Sequence, residues 1–158
     1  MKNIHKLAAI DIGSNAVRLL ITSIWINKTD TKFKKISLVR VPLRLGEDVF
    51  SKGKISDNKL KKLQKTLKAF KILMQIHEVY MFKAVATSAM REAENSTKII
   101  EDIFKKLNIK IDLISGKKEA LMIANIFLNS MENLTNNYLY VDVGGGSTEL
   151  NLISKNKI

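Results

Sequence analysis

Two short stretches near opposite ends of the chain carry the same device. Asp11-Ile12-Gly13-Ser14-Asn15 and Asp142-Val143-Gly144-Gly145-Gly146-Ser147 each place an aspartate at the end of an apolar run, then glycine and a small hydroxyl residue. Glycine permits tight turns and lets a ligand approach bare backbone amides, and successive N–H groups in such turns form concavities that hold anions. The chemistry on offer is phosphate binding. Amides of both turns, with the hydroxyls of Ser14, Ser147 and Thr148, would take phosphoryl oxygens. Asp11 and Asp142 would hold Mg²⁺ or its waters, since hard cations take oxygen ligands. One Asp-x-Gly alone is an ordinary hairpin; two, each after a buried strand, favour phosphate. Neither fits G-x-x-x-x-G-K-[ST] or G-x-G-x-x-G, the nucleotide loops most often read from sequence.

The elements that must position these turns follow from hydrophobic pattern. Leu7 to Ile12 and Ala16 to Trp25 read as two strands around a tight turn, and Phe33 to Val41 as a third. Pro42 and the Gly46 region mark a loop. Ser56 is placed as a helix cap. After it Leu60, Leu63, Leu67, Phe70 and Met74 recur at three- and four-residue steps, with lysines on the other faces, which predicts an amphipathic helix. Val79 to Ala86 reads as a strand. A helix from about Ser96 carries Ile99, Ile100, Ile103, Phe104 and Leu107 on one face. Ile109 to Ile114 is a strand, Lys118 to Ser130 a helix, and Tyr138 to Val143 with Thr148 to Ile153 a closing hairpin. The order β-β-β-α-β-α-β-α-β-β predicts an α/β sandwich, with no linker or low-complexity segment.

The composition limits the function. At 158 residues the chain can bury a real core. No apolar run approaches the roughly 20 residues needed to span a bilayer, and the Leu7–Ile10 run is too short for a signal-peptide core. Cysteine is absent, which rules out disulfides and thiol catalysis, so a cytoplasmic location is expected. Lys plus Arg number 27 against 15 acidic residues, a formal charge of +12. That excess favours polyanionic partners. Only Arg18, Arg40, Arg44 and Arg91 are arginines, however, and solvated lysine faces explain most of the charge. The few aromatics do not interleave with basic residues as a base-stacking platform requires, which argues against nucleic acid. His5 and His77 lie outside every motif and read as structural or solvated.

Four segments together resemble a known family, that of the exopolyphosphatases and guanosine pentaphosphate (pppGpp) phosphohydrolases. They are Ala9 to Asn15, Ala86-Thr87-Ser88-Ala89-Met90-Arg91-Glu92-Ala93, Ile114-Ser115-Gly116 through Glu119-Ala120, and Asp142 to Leu150. Arg44-Leu45-Gly46-Glu47 is a weaker fifth. The resemblance implies a ribonuclease H-like (actin-like ATPase) domain of the α/β class, with a mixed five-stranded sheet and flanking helices. It places that domain at 1–135, with the first β-hairpin of a second, similar domain at 136–158. It also implies hydrolysis of the terminal phosphate of polyphosphate, or of the 5′ γ-phosphate of pppGpp, with Mg²⁺, water and no covalent intermediate. In that scheme Gly13, Ser14 and Asn15 form the first phosphate loop, and Gly144, Gly145, Gly146, Ser147 and Thr148 the second. Glu119 is the catalytic base, and Glu149 places water and metal beside Asp11 and Asp142. Arg91 lines the phosphate site, as Arg18 is expected to.

The chemistry agrees with those roles, because phosphoanhydride hydrolysis needs an oriented water, a metal and cationic donors around the equatorial oxygens. Arginine forks suit phosphate better than lysine does. Two departures stand out: Lys117-Lys118 where the family commonly has an acidic residue before its glutamate, and Ala16 where it often has serine. Family members have two such domains with the site between them, so a chain of this length is expected to be part of a longer protein, with a homodimer implied for the complete one. The alternative function is a catalytically silent module that binds polyphosphate or nucleotide.

Overall fold

The structure is a computed structural model that describes residues 4–26, 31–130, 136–146 and 148–154. Strands β1 (Ile4–Ile12), β2 (Val17–Ile26) and β3 (Thr31–Val41) form an antiparallel meander. Strands β4 (Met81–Ala86) and β5 (Ile111–Leu113) add in parallel on the other side of β1, giving one five-stranded sheet of order β3-β2-β1-β4-β5. This is the mixed sheet with flanking helices expected of an actin-like ATPase domain. A separate antiparallel pair, β6 (Tyr138–Val143) and β7 (Thr148–Ile153), forms a second sheet. The domain boundary expected at 135 falls in residues 131–135, outside the described residues.

Alternation along the strands decides which face is covered. Ala8, Ile10 and Ile12 of β1 and Val17, Leu19 and Ile21 of β2 point to one face and are buried. Against them pack Leu63, Leu67, Phe70 and Met74 of α2 (Asp57–Ile76) and Ile99 and Ile103 of α4 (Ser96–Leu107). Ser56 caps α2, its Oγ accepting from the Lys59 N–H. Asn95, just before α4, exchanges hydrogen bonds with the backbone of Ile55 at 2.9 and 3.1 Å and so aligns the starts of the two helices. Along the other sheet face, Met122, Ile123 and Ile126 of α5 (Gly116–Ser130) line a cavity of about 540 Å³ with Ala9 and Val85.

Two helices lie where the hydrophobic pattern predicts none. Leu45–Lys52 is α1, although Gly46 in its first turn suggested a loop. Leu45 and Val49 bury one stripe, and Gly46 lies so close to Ser14 that a Cβ there would be 3.1 Å from the Ser14 Cβ. Close packing therefore selects the glycine in spite of its low helix propensity. Ser88–Glu92 is α3, a single five-residue turn too short to show a period. Strand ends also differ: the Val79 and Tyr80 amides donate to the carbonyls of Met74 and Lys6, and Ile114 donates to Ala86 just beyond β5.

A polar cluster fixes α1 to α2. Lys59 donates to the Arg44 carbonyl and to Glu47 Oε2 (3.1 Å), and lies 3.4 Å from Asp48 Oδ1. Asp48 Oδ2 accepts from the Ser56 N–H at 3.1 Å. Arg44 itself adopts the left-handed conformation, φ 51°, which costs a non-glycine residue about 1–2 kcal/mol. Its carbonyl is held there by Lys59.

Two outcomes follow from this packing. Phe70 is 1% exposed, so Phe70→Ala is expected to lower unfolding free energy by about 3–5 kcal/mol in urea titration. Hydrogen bonds from Ser56 hold the Asp48 carboxyl below its ordinary 3.8, with help from Lys59 and against the cost of burial. A depressed native pKa stabilises above the unfolded value and loses that contribution as pH falls through the native one. Stability measured from pH 6 down to pH 2 should therefore decline less steeply in Asp48→Asn than in the parent; identical slopes would contradict the assignment.

Candidate active site

The two glycine turns meet. Asp11, Gly13, Ser14 and Asn15 from the first, and Asp142, Gly144, Gly145 and Gly146 from the second, line one cavity of about 240 Å³ together with Arg18, Thr87, Ser88 and Glu119. Each turn has its own cause. The β1–β2 turn closes with the Gly13 N–H on the Ala16 carbonyl at 3.0 Å. Outside it, the backbone N–H groups of Arg44 and Gly46 donate to the carbonyls of Asn15 and Ser14 at 2.8 and 2.9 Å. The turn is therefore braced by the start of α1. The second turn joins β6 to β7 and comes close to the first: a Cβ on Gly145 would lie 2.6 Å from Asn15 Nδ2. A larger residue there would have to displace the Asn15 side chain.

Register explains the carboxylates and their cations. Asp11 and Arg18 are direct cross-strand partners in β1 and β2, and their side chains form an ion pair of 2.9 Å. Arg40 of β3 is the next residue in the same row and is exposed. Glu119 sits in the first turn of α5, where the helix dipole favours negative charge. Arg91 at the end of α3 lies 3.5 Å from Glu119 Oε2 and donates to the Ile114 carbonyl at 3.0 Å, which ties α3, the end of β5 and α5 together. Lys117 and Lys118 are exposed at the start of α5.

The expected site residues separate into groups. Asp11, Gly13, Ser14, Asn15, Arg18, Glu119, Asp142, Gly144, Gly145 and Gly146 share the cavity. Arg91 reaches it only through Glu119. Ser14 also serves the fold, because its buried Oγ accepts from the Ala89 N–H at 3.2 Å and fastens the first turn to α3. Thr148 is exposed, pairs with Val143 and is not part of the cavity wall. Ser147 lies outside the described residues, and so does the side chain of Glu149, whose backbone pairs with Asp142. The expected metal set of Asp11, Asp142 and Glu149 is thus described only in its first two members. Among the described residues no three acidic, histidine or cysteine side chains converge as a metal-holding group.

The cavity also holds two hydroxyl residues outside the expected set. Thr87 and Ser88 follow β4 directly and are 7% and 3% exposed. Ser88 Oγ has no hydrogen-bond partner among the described residues. A buried hydroxyl without a partner costs roughly 1–3 kcal/mol, which a bound oxygen ligand would recover. Their one signal in the sequence is a Thr-Ser pair at the end of a parallel strand, three residues before Arg91.

Among the described residues no helix is long and apolar enough to cross a membrane. Residues 25–158 match the model of the Ppx/GppA phosphatase family. The chain is 33% identical over 155 residues to a bifunctional 3-dehydroquinate synthase/phosphatase of Fusobacterium nucleatum, covering 96% of this chain and 23% of that protein. It is 30% identical to exopolyphosphatase 1 of Mycobacterium leprae, over 92% of this chain and 42% of that one. Among solved structures, an exopolyphosphatase from Cytophaga hutchinsonii superposes with a TM-score of 0.87 at 30% identity, over 97% of this chain and 48% of the other. The Aquifex aeolicus member of the Ppx/GppA family superposes at 0.82 and 29%, over 98% and 49%. The chain spans half or less of the length of these relatives. With the strand order, the paired glycine turns and the family match over residues 25–158 in agreement, the chain belongs to the Ppx/GppA phosphatase family.

Proposed function

We propose that the chain supplies a phosphoanhydride-hydrolysing site that releases the terminal phosphate of inorganic polyphosphate or the 5′ γ-phosphate of pppGpp. The observation that carries this reading is the convergence of two glycine turns and three carboxylates, Asp11, Glu119 and Asp142, on one polar cavity. Exposed amides at Gly144, Gly145 and Gly146, with Asn15 opposite, would donate to the equatorial oxygens of a terminal phosphoryl group. Arg18 stands at the rim with its guanidinium already oriented by Asp11. Such fixed donors stabilise developing charge without reorganisation during reaction.

Glu119, which lines the same cavity, would take a proton from an attacking water as the general base. Arg91 is its positioning residue, fixing the carboxylate against the backbone of Ile114. The oxygen-only donor set of Asp11 and Asp142 suits Mg²⁺, which when bound would neutralise phosphate charge. A homodimer of the complete protein and a cytoplasmic setting accompany this reading. The names of the exopolyphosphatase relatives favour polyphosphate over pppGpp as the first substrate to try.

The test is phosphate release from long-chain polyphosphate and from pppGpp, with Mg²⁺, by the chain and by Glu119→Gln. The expected result is a fall in kcat of about 10²–10⁴-fold with little change in KM. Undiminished release by Glu119→Gln would remove the base from Glu119. Retained polyphosphate binding with no release by either protein would favour a silent binding module.

A further inference from the structure

Phe50 is an aromatic residue that is 48% exposed, outside the main core, and in contact with the second glycine turn. Its place follows from α1. Long side chains on a helix lean back over the turn that precedes them, and four residues before Phe50 stands Gly46, which offers no side chain. The ring lies on that bare backbone: a Cβ on Gly46 would be 2.7 Å from Phe50 Cε2. Its far end meets Gly146, where a Cβ would collide with Phe50 Cζ and stand 2.5 Å from Ser88 Oγ. The ring is thus held between a glycine of its own helix and a glycine of the other sheet's turn.

What matters is the rigidity behind the ring. The start of α1 donates two backbone hydrogen bonds to the first turn, through Arg44 and Gly46. Lys59, Glu47 and Asp48 tie the same turn of helix to α2. A side chain on α1 therefore reports the position of the first turn, and Phe50 carries that position across to Gly146. We propose that Phe50 is a positioning residue that sets the spacing between the two glycine turns. The ring is a spacer of fixed length. If it is shorter, the second turn loses its stop; if it is longer, the second turn is pushed off Asn15 and Ser88.

Sensitivity to length separates a spacer from an ordinary half-exposed ring, which tolerates a hydroxyl at Cζ. Phe50→Tyr adds one atom at the position that touches Gly146. Amide hydrogen exchange in peptides spanning 142–150 is the primary readout, because it reports local opening and requires no ligand. We expect exchange there to rise at least about tenfold in Phe50→Tyr and Phe50→Ala, and to rise as well in Phe50→Leu, whose side chain stops short of the Cζ that meets Gly146. Peptides from β1 and β4 should be unchanged in all three. Gly146→Ala should raise exchange as well, and Phe50→Ala/Gly146→Ala should recover part of the loss, the non-additivity expected of touching residues. Parent-like exchange at 142–150 in Phe50→Tyr, or a strictly additive double variant, would overturn the proposal. Inorganic pyrophosphate affinity is a second arm that rests on the phosphate reading. It should weaken about tenfold in Phe50→Tyr, about 1.4 kcal/mol. A parent protein that binds no pyrophosphate, yet shows the exchange pattern, retires the phosphate reading and leaves the spacer standing.

Discussion

The site depends on how closely two pieces of backbone can approach. The first turn is held from outside by α1 and from beneath by α3, so its position is fixed by the five-stranded sheet and its helices. The second turn belongs to a different sheet and meets it at positions that carry no side chain. At Gly145 the neighbour is the Asn15 amide, and at Gly146 it is an aromatic ring and a buried hydroxyl. A Cβ at either position would have to displace the side chain of Asn15, or those of Phe50 and Ser88. Glycine is costly in conformational entropy, and three in a row make sense where bare backbone must both pack and face a ligand.

Around the cavity the charges are arranged rather than merely abundant. Asp11 is matched to Arg18 by cross-strand register, and Glu119 to Arg91 by the meeting of two helices. Both arginines are among only four in the chain, whose other 23 basic residues are lysines. Planar guanidinium groups orient carboxylates in ways that flexible ammonium groups do not. The net charge of +12 therefore says little about the site, whereas the placement of two arginines says much.

How much of this was legible in the sequence varied with the physical signal. The helices α2 and α4 announced themselves by period, and β1 and β2 as apolar runs, because each buries one face against the other layer. Helix α1 did not, since the glycine that packs on Ser14 breaks the pattern, and α3 did not, since five residues hold no period. Asp11 and Asp142 stood out as carboxylates at glycine turns, whereas Glu119, inside the first turn of α5, was singled out only through the family resemblance. Ser14 was readable as a hydroxyl in a glycine turn, but its service to the Ala89 amide depends on contacts 75 residues apart. Thr87 and Ser88 carry only the weak signal of a hydroxyl pair at a strand end, and Phe50 carries none. Their importance comes from what the fold brings beside them.

The central claim is that the two turns act as one phosphate site. Backbone amide chemical shifts of the ¹⁵N-labelled chain, followed during titration with inorganic pyrophosphate and Mg²⁺, test it most directly. The account predicts that Gly13, Ser14 and Asn15 shift together with Gly144, Gly145 and Gly146, along one binding isotherm. Shifts confined to one turn, or two turns responding with different affinities, would contradict it.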